Sequence, residues 1–250
     1  SNHDTYEVEI SGNFTQIYFN GQNSPEKIRS IRQWGTIPWS SFHAAFNGCS
    51  NLEIEAYDVP DLSQVKDMSQ MFWQCTSLTG NTTMNSWNVS TVIDMSSMFS
   101  GANRFNQDIS AWDVSTVENM SSMFSGAAAF NQNIGSWNVG NVTNMAGMFL
   151  SASVFNQNIG SWNVQMVIGM GSMFAGAKNF NQNIGAWDVS SVENMESMFF
   201  DAESFNQDIG AWVTDSVKTM NWMFTGAHVF NQDIGQWRVF NVRDMANMFH

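Results

Sequence analysis

The chain has 250 residues, 9 Lys plus Arg against 22 Asp plus Glu, a net charge of −13 and 2 cysteines. That balance argues against nucleic acid and anionic membrane as partners, since both require a basic surface. No apolar run is long enough for a helix to cross a bilayer, so no membrane insertion is expected. The length suits one elongated domain with a continuous core. No signal-peptide pattern opens the sequence, so an export signal, if the protein is secreted, is expected outside these residues.

Residues 1–30 do not share the periodicity of the rest of the chain. Tyr6-Glu7-Val8-Glu9-Ile10 alternates, Ser11-Gly12-Asn13 reads as a turn, and Phe14 to Phe19 alternates again. The expectation is a strand–turn–strand cap over the first turn of a stack. Residues 31–104 hold irregular repeats. Phe46, Phe72 and Phe99 end successive units 26 and 27 residues apart, and Pro60 occupies a position that is Trp in later units. A Pro there predicts weak or edge pairing. Cys49 and Cys75 fall in the slot that later holds Ala102, Ala127 and Ala152. They are expected as neighbours on adjacent turns, either disulfide-bonded, which needs Cα atoms ~4.4–6.8 Å apart, or free thiols serving as small apolar residues.

From residue 105 to residue 250 the period is fixed. FNQDISAWDVSTVENMSSMFSGA begins at Phe105 and returns from Phe130, Phe155, Phe180, Phe205 and Phe230, 25 residues apart. A fixed period of this size signals a stacked array. Within a unit, Trp112-Asp113-Val114 suits a short strand. Val117, Met120, Met123 and Phe124 give the stripe of a short helix or 3₁₀ segment, capped by Ser115 or Thr116 and stopped by Gly126. So small a unit buries its apolar face only against copies of itself. The Trp column from Trp87 to Trp237, the Met pairs from Met68/Met71 to Met245/Met248 and the Phe column from Phe46 to Phe249 are therefore expected as core rather than as ligand sites. The sequence stops midway through a unit at Phe249-His250, which suggests end-to-end self-association through an uncapped C-terminal turn.

The pattern W-D/N-V-S-x-V-x-N-M-S-x-M-F-x-G-A-x-x-F-N-Q-D/N-I, present from about Ile31 onward, resembles the repeat of BspA-type bacterial surface proteins, a divergent branch of the leucine-rich repeats. The resemblance implies a right-handed α/β solenoid, with short strands on one face and short helical or 3₁₀ segments on the other. It implies an extracellular or cell-surface location and adhesion or ligand binding, often to host or matrix proteins, and it does not imply catalysis. In that family an immunoglobulin-like module often precedes the repeats, which would make residues 4–10 its last strand.

Little in the chain suggests chemistry. His3, His43, His228 and His250 are scattered, without metal-ligand spacing. His43 and His228 lie roughly seven turns apart, more than ~30 Å at one strand spacing per turn, so no Ser-His-Asp set is nominated and no enzyme is expected. The corner column Asp108, Asn133, Asn158, Asn183, Asp208, Asp233 is mostly Asn, as expected where carboxylates ~5 Å apart would repel and amides can bond along the stack. Asp208 and Asp233 are its one adjacent acidic pair and the candidate site for calcium; no other cofactor is expected. Outward positions are small and polar through the centre, with no charge between Ala128 and Ala177, and become bulkier later. A ligand site is therefore placed at Asp188, Asp215, Gln236, Arg238 and Phe240, since Arg and exposed aromatics anchor interfaces. Three functions remain open: adhesion to a host or matrix protein, binding of a surface glycan, and a spacer in a larger surface protein.

Overall fold

Every 25 to 27 residues the backbone returns to the same place and bonds to its previous passage. The computed structural model describes residues 6–12, 14–22 and 24–250. In these, single parallel bridges link Asp67 to Asp94, then Asn119, Asn144, Gly169, Asn194, Thr219 and Asp244 in one unbroken column. Besides the single bridges Gln16 to Ser41 and Pro38 to Asp61, the other extended pairing among the described residues is that of two parallel strands of two residues each, β1 (Ser30–Ile31) and β2 (Glu53–Ile54).

The apolar stripe expected as helical has another backbone. From Met120 to Gly126, alternate amides leave the coil: Met120, Ser122, Phe124 and Gly126 donate to the carbonyls of Asn144, Ala146, Met148 and Leu150 at 2.6–3.0 Å. The intervening amides close tight turns, with Met123 donating to Met120, Ser125 to Ser122 and Ala127 to Phe124. Ser122 and Gly126 have φ of 56° and 70°. A left-handed residue in the third place of a four-residue turn marks a type II turn, and it prevents helix propagation. The segment is thus a run of overlapping β-turns. Among the described residues the helical pieces are two short 3₁₀ segments, Pro25–Lys27 and Thr82–Ser86.

The Trp-x-Val segment is not a strand either. Trp112 and Val114 are buried while Ala111 and Asp113 are exposed, as alternation suggests. Yet the Asp113 carboxylate accepts the Ser115 amide, and Val117 donates to Val114, so the chain turns here. Such Asx turns recur at up to three places in a coil: Asp108 to Ser110, Asp113 to Ser115 and Asn119 to Ser121 in one, Asn133 to Gly135, Asn138 to Gly140 and Asn144 to Ala146 in the next. The Asn and Asp columns are thus corner-formers, a role their side chains fill by mimicking a backbone turn. Gly160 sits just past one corner because a Cβ there would lie 2.4 Å from the Asn183 carbonyl oxygen of the next coil.

The N-terminal segment is not a hairpin. Tyr6–Ile10 carries no strand, and Gln16 bridges Ser41 in parallel. Ser40 donates to Thr15, while Phe19, Asn20 and Gly21 donate to Ala45, Ala44 and Asn47. Phe14, Ile17 and Phe19 pack on the core, so these residues form a partial coil in register with the later ones. The expectation for residues 4 and 5, and for His3 and Asn13, falls outside the described residues.

Identical residues stack in the interior. Phe99, Phe124, Phe149, Phe174, Phe199, Phe224 and Phe249 lie at centroid spacings of 5.5–5.8 Å and within 9° of parallel. Each of the first six meets another Phe face to face, as Phe124 meets Phe130 at 3.9 Å. The Trp column stacks at 6.4 Å between Trp112 and Trp137, and its indole N–H groups donate to carbonyls of the preceding coil, as Trp137 does to Ile109. Pro60 interrupts this column and is itself buried, so Trp34 meets Trp87 edge-on at 5.3 Å and both indole nitrogens are buried without acceptors. The Met pairs are buried throughout, except Met245 in the last coil, which is 41% exposed.

Cys49 and Cys75 are free thiols, which corrects the disulfide alternative. Cys75 donates its S–H to the Phe46 carbonyl at 3.1 Å, and both side chains fill the buried small-residue slot. Burial, reinforced by Glu26, raises the Cys49 thiol to about 12, and burial raises Cys75 further. Neither is a ready nucleophile.

Two substitutions test the interior. Met145→Asp places an unpaired charge in a fully buried column and is expected to cost several kcal/mol in denaturant unfolding; a midpoint matching the unsubstituted chain would refute this packing. The Asn156 side-chain oxygen accepts the Asn181 amide at 3.0 Å and the Gln182 Nε2 at 2.9 Å. Asn156→Ala is expected to lose about 1–2 kcal/mol, two hydrogen bonds at a half-buried position. No measurable loss would show that solvent replaces both bonds.

Candidate functional site

The residues singled out for ligand binding separate into a cluster and an outlier. Asp215, Gln236, Arg238 and Phe240 lie on neighbouring coils. Arg238 Nη1 is 3.3 Å from Asp215 Oδ2, and its guanidinium carbon sits 5.7 Å from the centre of the Phe240 ring. Phe240 is 72% exposed, so the cation and one aromatic surface are both presented to solvent. Asp215 Oδ1 is buried with no hydrogen-bond partner.

Asp215 divides two shallow clefts. One, of about 460 Å³, is bounded by Glu193, Ser216, Lys218, Phe240, Asn241 and Arg243. The other, of about 580 Å³, is bounded by Asp208, Val213, Thr214, Asp233, Gln236 and Arg238. Asp188 stands apart: it lines neither cleft and caps its own turn by accepting the Ser190 amide at 3.1 Å. Sequence reasoning missed Lys218, Glu193 and Arg243. They occupy one column that runs Lys66, Ile93, Glu118, Thr143, Ile168, Glu193, Lys218, Arg243, and tabulating that column shows charge gathering at one end. Lys218 pairs with Glu193 at 2.6 Å, while Arg243 has no ion pair among the described residues. Lys218, Arg238 and Arg243 are three of the chain's nine basic residues; they stand among the carboxylates of Glu193, Asp208, Asp215 and Asp233, so the two clefts carry both signs of charge rather than a net positive one.

The calcium candidates both line the second cleft. Asp208 and Asp233 each accept the amide two residues on, from Gly210 and Gly235. Among the described residues no group of three His, Cys, Asp or Glu side chains is placed to hold a metal ion. Serine, histidine and aspartate do meet elsewhere: His43 Nδ1 is 2.7 Å from Ser69 Oγ, which donates to Asp67 Oδ1 at 2.5 Å. One imidazole nitrogen faces both partners, with Asp67 Oδ2 at 3.7 Å, and Ser69 is buried. A proton relay needs the two imidazole nitrogens to serve different partners, so this cluster braces adjacent coils.

The capping carboxylates carry a pH signature. Hydrogen bonds from the Ser190 side chain and then its amide hold Asp188 below the usual carboxylate range, and Ser115 does the same for Asp113. A lowered folded-state value stabilises fully above the unfolded value near ~3.9, and the contribution is lost as pH falls through the folded value. Replacing Asp113 and Asp188 together by Asn keeps both caps and removes both titrations. Melting curves from pH 6 to 2 are expected to show a shallower acid decline in the double variant, with neutral-pH stability within about 0.5 kcal/mol. Superimposable declines would mean that neither cap titrates with folding.

The model of a family described as "Mycoplasma protein of unknown function, DUF285" matches residues 40–160 and again 148–250. No curated protein matches the chain.

Proposed function

The chain belongs to the DUF285 family, and on that premise we propose a non-enzymatic interaction or adhesion module at the cell surface that binds a protein partner on its coil face. In this reading the stack is a right-handed, leucine-rich-repeat-like solenoid of the BspA type, and its extended face is the working surface. The observation that carries the reading is the cluster of Asp215, Arg238 and Phe240 beside the two clefts. Interior columns repeat because each rung must fit the next. The surface has no such constraint, and here it collects an exposed aromatic, a partly neutralised guanidinium and two further cations within two coils. Arg and aromatic anchors of this kind dominate protein interfaces. The chemistry suits a partner that sets an apolar group on Phe240 and offers both a hydrogen-bond donor for the Asp215 and Glu193 side and an acceptor for Arg243.

The test is affinity capture of surface and matrix proteins, then titration of the identified partner. The double variant Arg238→Ala/Phe240→Ala is expected to weaken binding by about 2–4 kcal/mol at an unchanged melting temperature, since both side chains are exposed. Unchanged affinity would place the contact elsewhere.

A further inference from the structure

The run of overlapping β-turns that bonds coil to coil, Met120 to Gly126 and its equivalents, here called the ladder segment, carries a second anomaly on residues the first site does not use. Its left-handed position is occupied by Ala44 and Gln70 in the irregular coils and then by Ser97, Ser122, Gly147, Ser172, Ser197, Trp222 and Asn247, so that Trp222 is the one aromatic residue in the column. Ser, Gly and Asn are small enough to tolerate that conformation. Trp222 takes it at φ 62°, where a bulky side chain is a genuine outlier. The strain gains no burial in the core, because Trp222 is 40% exposed. Its ring lies 6.4 Å from that of Phe200, inclined at 54°. Phe200 is likewise large for its place in the regular coils, where the column reads Ser100, Ser125, Leu150, Ala175 and Thr225; among the irregular early coils Trp73 holds the same position.

We propose that Trp222 and Phe200 form a stacking platform for a neutral polysaccharide. An exposed aromatic face matches the C–H-bearing face of a pyranose ring, and the groups around it match its hydroxyls. Glu196 accepts from Asn221 Nδ2 at 3.3 Å and keeps further acceptor capacity, and Ser197 and Asn247 flank Trp222 in its own column. No Lys or Arg occurs among residues 196–202, 219–226 or 244–250, which excludes the charge complement of a sulfated or uronic-acid chain. A ladder of small residues on either side leaves the platform open to a long polymer. The inference is independent of the Arg238 site: it concerns other residues and another class of ligand.

The test uses cosedimentation with insoluble cellulose and chitin, and electrophoresis through gels containing mannan or dextran. The whole chain is expected to be retained by at least one of these. Trp222→Ser restores the residue of its column and relieves strain, so the melting temperature is expected to hold or rise while affinity for the retaining polymer falls about tenfold. Trp222→Phe is expected to keep part of the affinity, and Arg238→Ala all of it. Failure of the unsubstituted chain to bind any polymer, or equal binding by Trp222→Ser, overturns the proposal. Loss of a protein partner with Trp222→Ser, without polysaccharide binding, assigns the pair to a protein contact and overturns it as well.

Discussion

The fold depends on amides that leave their own coil. In each rung four alternate N–H groups of the ladder segment reach the next coil's carbonyls, and one before them, as from Glu118 to Ile93, reaches back to the previous coil. These bonds require every rung to present the same groups at the same height. A helix would keep those amides for itself, and a regular strand would not bring Val117, Met120, Met123 and Phe124 to one side. Overlapping turns with a left-handed residue every fourth place, as at Ser122 and Gly126, satisfy both demands. Backbone satisfaction then governs the sequence: small residues and glycine at left-handed positions, and Asn or Asp where a side chain must form a corner.

Once rungs are held in register, identical side chains meet, and the consequences depend on their chemistry. Phe on Phe and Trp on Trp stack favourably. Asn on Asn bonds along the axis, as Asn131 to Asn106 and Asn156 to Asn131 do, with Gln132 and Gln157 reaching the same oxygens. Carboxylate on carboxylate repels, and hydrogen-bond donors beside such a pair offset that repulsion. Where Asp67 and Asp94 are adjacent, His43 and Ser69 contact Asp67, and Asn119 donates to Asp94 at 3.2 Å. The free Cys pair obeys the same logic, two small apolar groups in a slot that later coils fill with Ala.

The interior was legible in the sequence because columns and burial derive from the period alone. Turn type was not, because an apolar i, i+3 spacing is shared by a helix and by a run of three-residue turn bonds; Ser122 is unremarkable in a helix and decisive here. The Asx corners were visible as Asn and Asp columns, but the capped amide two residues on has no sequence signature of its own. For the candidate site, Asp215, Gln236, Arg238 and Phe240 stood out as breaks in a repetitive face. Lys218, Glu193 and Arg243 did not, because they enter the cleft from a neighbouring column. Asp188 was grouped with the site because side-chain type does not tell a carboxylate that caps its own turn from one turned to a neighbour.

That distinction explains where the surface becomes free to act. In the coil of Asp188 the carboxylate beside the Trp caps the turn, and the third residue after the Trp is a compact Ser190. One coil later Val213 takes the capping position and cannot accept a hydrogen bond. Thr214 there is buried, and its hydroxyl donates instead to the Arg238 carbonyl at 2.9 Å, fastening the turn to the next coil. The acidic residue now stands two places further on, at Asp215, where it no longer closes a corner and meets Arg238 across the rung. Losing one corner cap and replacing it with a cross-coil bond leaves the Asp215 carboxylate free of the turn and paired with Arg238 instead. The same release applies to Arg238 and Phe240, which stand in their coil where Asp188 and Ser190 stand in theirs, and close no corner there. Repetition makes the stack stable, and the side chains available for recognition are those that the repeat no longer uses.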